Sequence, residues 1–126
     1  MSVVVDLSAL AEHLESFGRV AYVVTVDELG RPHVVSVRPE LDGERILAGA
    51  GRRTAANLAE RAECTLLWPA PPSTGYSLLV DGEAEVLGQG DDERLALRPT
   101  GAVLLRTPEG DSSAPSCVKL VAEATT

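Results

Sequence analysis

The apolar residues near the start of the chain are spaced three or four positions apart, which is the spacing of one face of an α-helix. They are Leu7, Leu10, Ala11, Leu14 and Phe17. Asp6 or Ser8 can cap the first helical turn with a side-chain oxygen, and Gly18 can end the last turn. The pattern predicts one short helix that packs through leucine and phenylalanine.

The spacing then changes to the alternation that is typical of β-strands. Residues 19–26 (RVAYVVTV) and 33–37 (HVVSV) are rich in β-branched and aromatic side chains. Residues 27–30 (DELG), which lie between them, have the composition of a turn. These three segments predict a first antiparallel hairpin.

A strand, a glycine-rich corner, a helix and a buried strand are predicted for the middle of the chain. The pair Asp42 and Gly43 predicts a turn before a strand at residues 45–50 (RILAGA). Residues 51–63 (GRRTAANLAERAE) have helical composition, and residues 64–68 (CTLLW) are apolar throughout, as in a buried strand. The irregular segment that begins at position 69 is rich in proline and predicts a loop.

The pair Asp81 and Gly82 predicts a second hairpin, because this dipeptide tolerates the positive φ angles of a type I′ turn. Candidate strands lie on either side of it, at residues 76–80 and 83–87. The sequence therefore predicts that the chain reverses direction at position 81.

Beyond this hairpin the pattern is less regular. Candidate strands are residues 94–97 and 102–106, on either side of Pro99, and residues 117–121. Residues 108–116 (PEGDSSAPS) have the composition of a mobile loop. The pattern thus leaves the number of strands after the second hairpin open.

In total, six to eight strands and two short helices are predicted within 126 residues, a length that suits one compact domain with one core. A helix between the strands breaks the even strand spacing of an immunoglobulin-like sandwich, so a barrel is favoured. The predicted fold class is mainly β (α+β), with residues 1–126 forming a single antiparallel barrel domain.

Charge and composition argue against several classes of partner. The formal net charge is −8, so the average surface repels nucleic-acid backbones and anionic membranes. The first residues (MSVVVDLSALAEHL) carry two acidic side chains and lack the basic segment of a signal peptide. No segment has the roughly 20 consecutive apolar residues that span a bilayer. We therefore expect a cytoplasmic protein that binds neither nucleic acid nor membranes.

The residue types that usually carry catalysis or bind metals form no recognised motif. Cys64 and Cys117 are far apart, with no CxxC pair and no histidine at metal-ligand spacing. Paired carboxylates, a nucleophile elbow, a P-loop and a GxGxxG sequence are all missing from the chain. We therefore predict reduced thiols and no metal site, and the catalytic residues stay unassigned.

One segment has the composition of an anion-binding site. Residues 49–54 (GAGRRT) combine glycines, which let a ligand approach the backbone, with two guanidinium groups, a hydroxyl and the start of a helix. Arg52 and Arg53 are unfavourable at a helix N-terminus, where the macrodipole is positive, and an anion would compensate for this. Two interpretations stay open: a phosphate site, or a solvated basic turn paired with nearby Asp and Glu.

Residues 10–87 resemble the pyridoxamine-phosphate-oxidase-like split barrels, a family that binds FMN or the deazaflavin F420. The resemblance rests on an N-terminal helix followed by TVDELGRPHVVSV, on LDGERILAGAGRRTAANLAERAECTLLW and on GYSLLVDGEAEV, of which the last two carry most weight. It implies a split β-barrel that forms a homodimer, with the cofactor ring along the third strand and the partner subunit completing the groove. The chain shows no match to the substrate-binding C-terminal region of the vitamin B6 biosynthetic enzyme, so that activity is not implied.

The same resemblance, applied position by position, assigns a cofactor site. Arg52, Arg53 and Thr54 would hold the phosphate, and Asn57 would begin the Asn-Leu pair of the family. The residues expected beside the ring or at the border of the groove are Ser36, Val37, Ala48, Gly49, Trp68 and Tyr76. The protein would orient the cofactor, and the cofactor would supply hydride or electron transfer to a small organic substrate.

FMN is predicted ahead of F420, because the polyanionic tail of F420 favours a broad basic groove and this chain has few cations. Many family members have Lys or Arg where this chain has Thr54 and Ala56, which makes this phosphate site less basic. That departure supports the alternative of a non-catalytic dimeric barrel, a binding or stress-associated module that has lost the cofactor. A third hypothesis, haem binding, requires His33 or His13 near the groove.

Overall fold

The structure is a computed structural model that describes residues 2–72 and 75–106. The predicted strand at 117–121 and the predicted loop at 108–116 lie outside the described residues. The strands are β1 (Ser2–Val4), β2 (Ala21–Val26), β3 (Pro32–Val37), β4 (Glu40–Asp42), β5 (Arg45–Gly49), β6 (Glu63–Trp68), β7 (Tyr76–Leu87) and β8 (Arg94–Arg106). The α-helices are α1 (Leu10–Glu15) and α2 (Arg52–Glu60), with short 3-10 turns at Leu7–Ala9 and Gly90–Asp92. None of the helices in these two ranges could span a lipid bilayer.

All eight strands belong to one antiparallel sheet. The order along the sheet is β3-β2-β6-β7-β8-β5-β4, and β1 also pairs with β8. The sheet curls into a half-barrel, and its fully buried side chains include Val23, Ile46, Leu66, Leu78 and Leu95. The predicted fold class, a mainly β antiparallel split barrel with two short helices, is confirmed.

Helix α1 is shorter than the sequence predicts. The side chain of Asp6 accepts a hydrogen bond from the backbone N–H of Ser8 (3.0 Å), which confirms Asp6 as a capping residue. The turn that it caps is a 3-10 turn, and α1 follows directly and ends at Glu15, before the predicted stop at Gly18. Strand β1, which precedes this turn, was not predicted, because three residues are too few to show an alternation.

The first predicted hairpin is confirmed, with β2 and β3 paired along their whole length. Asp27 holds the connecting loop, because its Oδ1 atom accepts hydrogen bonds from the backbone N–H groups of Leu29 and Arg31 (2.9 Å each). These bonds, the one from Arg31 most of all, lower the pKa of Asp27. The loop thus fixes the register of β3, which determines the side chains that β3 presents on each face.

The second predicted hairpin is wrong. Residues 76–87 form one continuous strand, β7, which pairs with β8 along its whole length. The candidate strands at 94–97 and 102–106 are likewise parts of the single strand β8. The ladder is interrupted by a β-bulge, where Asp81 lies opposite Gly101 and the next pair skips one residue of β8.

Glycine is required at position 82 because β8 comes too close for a side chain, and not because the backbone turns there. Its φ angle is not positive, but a Cβ atom on it would come within 2.7 Å of Leu97 Cδ1 and closer still to the backbone carbonyl of Arg98. Pro99, which has no N–H for the ladder, lies opposite Gly82. The Asp-Gly pair therefore marks a close approach of two strands, which local composition does not distinguish from a turn.

The middle of the chain folds largely as predicted. β5 leads into α2, which packs against β2 and β7 before the chain returns as β6. Strand β4 was not predicted; its three residues are all exposed, so no apolar alternation marks it. Cys64 is buried in β6, and burial raises the pKa of its thiol to about 11, as expected for an inert core cysteine.

Candidate functional site

The glycine-rich corner between β5 and α2 presents the start of a helix without a cap. Gly49 ends β5, and the backbone N–H of Ala50 donates to the carbonyl oxygen of Glu93 (3.1 Å), which holds the corner against the segment before β8. Gly51 is the N-cap residue of α2 and provides no side-chain bond, and the first turn contains no acidic residue. The N–H groups and the positive dipole end of α2 are therefore not compensated by a side chain of the helix itself.

This corner borders a groove of about 630 Å³, a size typical of small-molecule sites. Strand β3 and the segment before β8 contribute the other side chains, and we call the space the β3–α2 groove. Its lining residues are His33, Val35, Ser36, Val37, Arg38, Gly49, Ala50, Gly51, Arg52, Arg53, Thr54, Asp91 and Glu93. The groove thus joins an apolar strand face to the start of a helix.

The arginines of the groove are not neutralised by ion pairs. Within the described residues, Arg38, Arg52 and Arg53 have no carboxylate oxygen within 4 Å of their guanidinium groups. Asp91 and Glu93 line the same groove and are likewise unpaired there. Unpaired guanidinium groups at a helix start are the arrangement that a phosphate or carboxylate stabilises. In the same ranges, no group of three His, Cys, Asp or Glu side chains is placed to hold a metal ion.

The structure brings six of the ten predicted cofactor residues together. The six that line the β3–α2 groove are Ser36, Val37, Gly49, Arg52, Arg53 and Thr54. Val37 is half-buried and Ser36 is exposed, because neighbouring side chains on a strand point to opposite faces of the sheet. Arg52 and Arg53 are exposed whereas Thr54 is buried. In this segment the two arginines are therefore the side chains that are accessible to a ligand.

Ala48 and Asn57 do not line the groove. Ala48 is buried in the core. Asn57 is also buried, and its Nδ2 atom donates a hydrogen bond to Oγ1 of Thr25 in β2 (3.0 Å). This bond ties α2 to the sheet, and Arg53 lies one helical turn before Asn57. Asn57 therefore positions the helix that carries the arginines.

Trp68 and Tyr76 lie away from the groove of a single chain. Trp68 is buried and lines a separate cavity of about 250 Å³ beside Leu14 of α1. The Tyr76 ring lies against the guanidinium group of Arg106, 5.9 Å from the ring centroid. The structure therefore does not bring these two predicted border residues to the arginines.

Four side chains of the groove had no predicted role: Val35, Arg38, Asp91 and Glu93. His33, which the haem hypothesis requires near the groove, also lines it. His33 and Val35 share a face with Val37, because side chains two positions apart on a strand point the same way. The alternation along β3 could therefore have identified them once Val37 was assigned. Asp91 and Glu93 reach the groove because β8 pairs with β5, and no local pattern predicts a pairing between such distant segments.

The comparison of sequences finds close relatives without an assigned function. No protein-family model matches the chain. Two uncharacterised proteins, one from Mycobacterium bovis and one from Mycobacterium tuberculosis, are each 40% identical to it over 129 residues. The alignment covers 90% of this chain and 90% of each relative.

Solved structures share the fold at low sequence identity. An FMN-binding protein from Syntrophomonas wolfei has a TM-score of 0.65 at 13% identity, over 82% of this chain and 88% of that chain. A putative pyridoxamine 5'-phosphate oxidase from Listeria innocua has a TM-score of 0.63 at 16% identity, over 80% and 98%. An F420 reductase has a TM-score of 0.60 at 17% identity, over 72% and 94%.

The curled antiparallel sheet, the β5–α2 corner and these structures together define the class of protein. It has the split-barrel fold of pyridoxamine 5'-phosphate oxidase-like, FMN- and F420-binding proteins. The chain belongs to the same family as the two mycobacterial proteins, since the likeness covers nearly all of it. The ligand has to be argued from the groove, because solved structures of such low identity establish the fold alone.

Proposed function

We propose that the protein binds FMN in the β3–α2 groove and acts as a flavin-dependent oxidoreductase on a small organic substrate. The observation that carries the proposal is the set of guanidinium groups of Arg38, Arg52 and Arg53, unpaired within the described residues, beside the uncapped start of α2. Such an arrangement binds phosphate through backbone N–H groups and bidentate side-chain bonds. The FMN-binding protein with the same fold supports a flavin as the carrier of that phosphate.

The groove offers environments that fit both ends of FMN. Arg52, Arg53 and the first N–H groups of α2 would hold the phosphate, and the half-buried side chains of Val35 and Val37 would lie against the apolar ring. When bound, the flavin would supply hydride or electron transfer, while the chain supplies binding and orientation. No acid or base of the chain is assigned to the reaction.

Asp91 and Glu93 favour FMN over F420. Their carboxylates line the same groove as Arg52 and Arg53. A single phosphate can be held at the start of α2, whereas a longer polyanionic tail would also have to pass two groups of like charge, which is unfavourable. The F420 reductase with the same fold makes F420 the alternative cofactor to test.

We also propose a homodimer that forms through the outer face of the half-barrel. Antiparallel sheets commonly place polar side chains on a solvent-facing side, but one row across this sheet is largely apolar. The row, in which each residue lies directly opposite the next, is Ser36, Tyr22, Leu67, Leu79, Val103 and Val4. Tyr22 is 38% exposed and Val4 is 82% exposed, as expected of a face that pairs with a second copy. Ser36 also lines the groove, so a second copy would adjoin the cofactor site.

Sedimentation of the wild-type protein at micromolar concentration should give twice the mass of the chain. Leu67→Arg, near the middle of the apolar row, should shift the protein to monomer, because a charge would be buried without a partner at the interface. Leu29→Arg is the matched control, since Leu29 is 69% exposed in the β2–β3 loop and outside the row. A wild-type protein that sediments as a monomer contradicts the dimer.

The alternative function is that of a dimeric split barrel without a cofactor. Two positions where the family commonly has cations carry no charge here: Thr54 is buried, and Ala56 is exposed in α2. Such a protein would purify colourless and would act as a binding or stress-associated module. A cytoplasmic location stays a prediction from the sequence for either function.

Titration of ligand-free protein distinguishes these functions. FMN, riboflavin, F420 and hemin are added at matched ionic strength, and binding is followed by fluorescence or absorbance. We expect micromolar binding of FMN, with riboflavin at least about tenfold weaker because it lacks the phosphate and its charge-assisted bonds. Tighter binding of F420 than of FMN would identify F420 as the cofactor. A Soret band with hemin would support haem binding. If none of the four ligands binds, the proposed function becomes that of a non-catalytic dimeric barrel that has no cofactor.

A further inference from the structure

His33 lines the β3–α2 groove together with the first residues of α2. In the sheet it is directly opposite Thr25, which accepts the hydrogen bond from Asn57 of α2. Asn57 is one helical turn after Arg53, and both His33 and Arg53 line the groove. An imidazole and a guanidinium group therefore line the same groove, on a strand hairpin and a helix that the contact between Asn57 and Thr25 joins.

The protein does not provide the partners that a charged imidazole requires. The Nδ1 atom of His33 is buried and has no hydrogen-bond partner in the described part of the chain. In a neutral ring one nitrogen carries no proton and can lack a partner at little cost, whereas in a charged ring both nitrogens carry N–H groups. A buried N–H group without an acceptor is costly, and an anion in the groove would be an acceptor for this ring.

An anion would change the balance of charge around His33. The charged side chains that share the groove with His33 are Arg38, Arg52, Arg53, Asp91 and Glu93. Three positive and two negative groups leave a net charge of +1 (3 − 2 = 1). In the loop before β3, Arg31 and Asp27 neutralise each other (3.5 Å). A phosphate group, which carries a charge of about −2 near neutral pH, would make this sum negative, and a negative neighbour favours a cation.

We propose that His33 takes up a proton when a phosphate group enters the β3–α2 groove, so that affinity for phosphorylated ligands rises as the pH falls. The choice of FMN as the ligand rests on the function proposed above. An anion beside an imidazole favours its charged form, and the two binding events favour each other equally by linkage. His33 is then a phosphate contact that is added to the arginines as the pH falls, because imidazole is the side chain that gains charge between pH 8 and pH 5.

The first test compares FMN dissociation constants at pH 6 and pH 8 for the wild type, His33→Gln and His13→Gln. His13 is the matched control, because it is the other histidine of the chain and lies on α1, outside the groove. Dividing the dissociation constant of each variant by that of the wild type at the same pH cancels the effect of protonation of FMN itself, which occurs near pH 6. For His33→Gln we expect about tenfold weaker binding at pH 6 and a change within about twofold at pH 8. His13→Gln should follow the wild type at both values.

The second test does not depend on flavin. The two imidazole C–H signals are assigned by their loss in the two variants, and their NMR shifts are followed against pH in chloride and in sulfate at matched ionic strength. Sulfate is used because it is a dianion that does not titrate in this range. The His33 titration should move to higher pH in sulfate, whereas the His13 titration should not move.

The outcomes separate this proposal from the flavin function. If FMN binds at neither pH while sulfate moves the His33 titration, the flavin function fails and the coupling to anions stands. The opposite outcome is that FMN binds, the ratio of the His33→Gln dissociation constant to the wild-type one is the same at pH 6 and pH 8, and sulfate leaves the His33 titration in place. In that case the coupling is overturned and the flavin function stands. Thermal unfolding of both variants shows whether the fold is retained.

Discussion

Replacing Arg52 and Arg53 together by alanine should weaken FMN binding at least about 100-fold, because each lost charge-assisted hydrogen bond costs about 1.5–3 kcal/mol. Both guanidinium groups line the groove at the start of α2, and neither has a carboxylate partner within the described residues. The effect should be specific to the phosphate, so riboflavin should bind the variant and the wild type similarly. Fluorescence titration with both flavins measures the two affinities and their ratio.

The matched control is the double substitution Arg19→Ala with Arg61→Ala. Both residues are exposed and lie outside the groove, and Arg61 is the C-cap residue of the same helix. The control changes the net charge of −8 by the same amount as the test variant, to −10 (−8 − 2 = −10). Because distant surface charges are screened by salt, FMN binding should stay within about threefold of the wild type. The phosphate assignment is lost if the variant at 52 and 53 keeps the wild-type preference for FMN over riboflavin.

Gly82→Ala should lower the free energy of unfolding by about 2–3 kcal/mol, at the upper end of the cost of overpacking. The new methyl group would lie within 2.7 Å of Leu97 Cδ1 and even closer to the carbonyl oxygen of Arg98. The side chain can move aside, but the backbone of β8 can shift only by disturbing its pairing with β7. Thermal unfolding should show a melting temperature lower by roughly 10 °C.

Gly101→Ala is the control for this substitution. Gly101 lies on β8 at the same bulge, opposite Asp81, yet a Cβ atom there would meet nothing within 4 Å. Its φ angle is not positive, so the stability should change by less than about 0.5 kcal/mol. Equal stability of the two variants would show that the close approach at Gly82 does not limit the fold.

The sequence predicted those elements whose own residues show a clear alternation or composition. The β2–β3 hairpin, α2 and β6 lie within three residues of their predicted bounds, because each has an alternation or a composition of its own. Strands β1 and β4 have three residues each, which is too few for an alternation to be recognised. They form because neighbouring strands offer them an edge, and that edge exists only after the rest of the sheet has folded.

The pair Asp81 and Gly82 shows why the second hairpin was predicted wrongly. Glycine is needed both where the backbone turns with a positive φ angle and where another strand comes too close for a side chain. The dipeptide is the same in both cases, and only the register of β7 against β8 separates them. The apolar alternation continues through residues 76–87 on both sides of the pair, so a test for one long strand was available in the sequence.

The candidate site was predictable as far as it is local. Arg52 and Arg53 were identified because they are adjacent to glycines and conflict with the dipole of the helix that they begin. His33 could have been added from the alternation along β3, whereas the contributions of Asp91 and Glu93 could not, because they depend on how β8 is placed beside the corner. Charge balance in the groove is a tertiary property, and both the proposed preference for FMN and the proposed behaviour of His33 depend on it.

Strand β8 also determines when the molecule can fold during synthesis. It pairs with β7, β5 and β1, so the first strand of the chain has no partner until residues 103–105 have been made. Until then β1, β5 and one side of β7 present unpaired backbone, which is prone to join other chains. The sheet is therefore expected to close only after β8 leaves the ribosome, and nascent chains that stall before it are the form most exposed to aggregation.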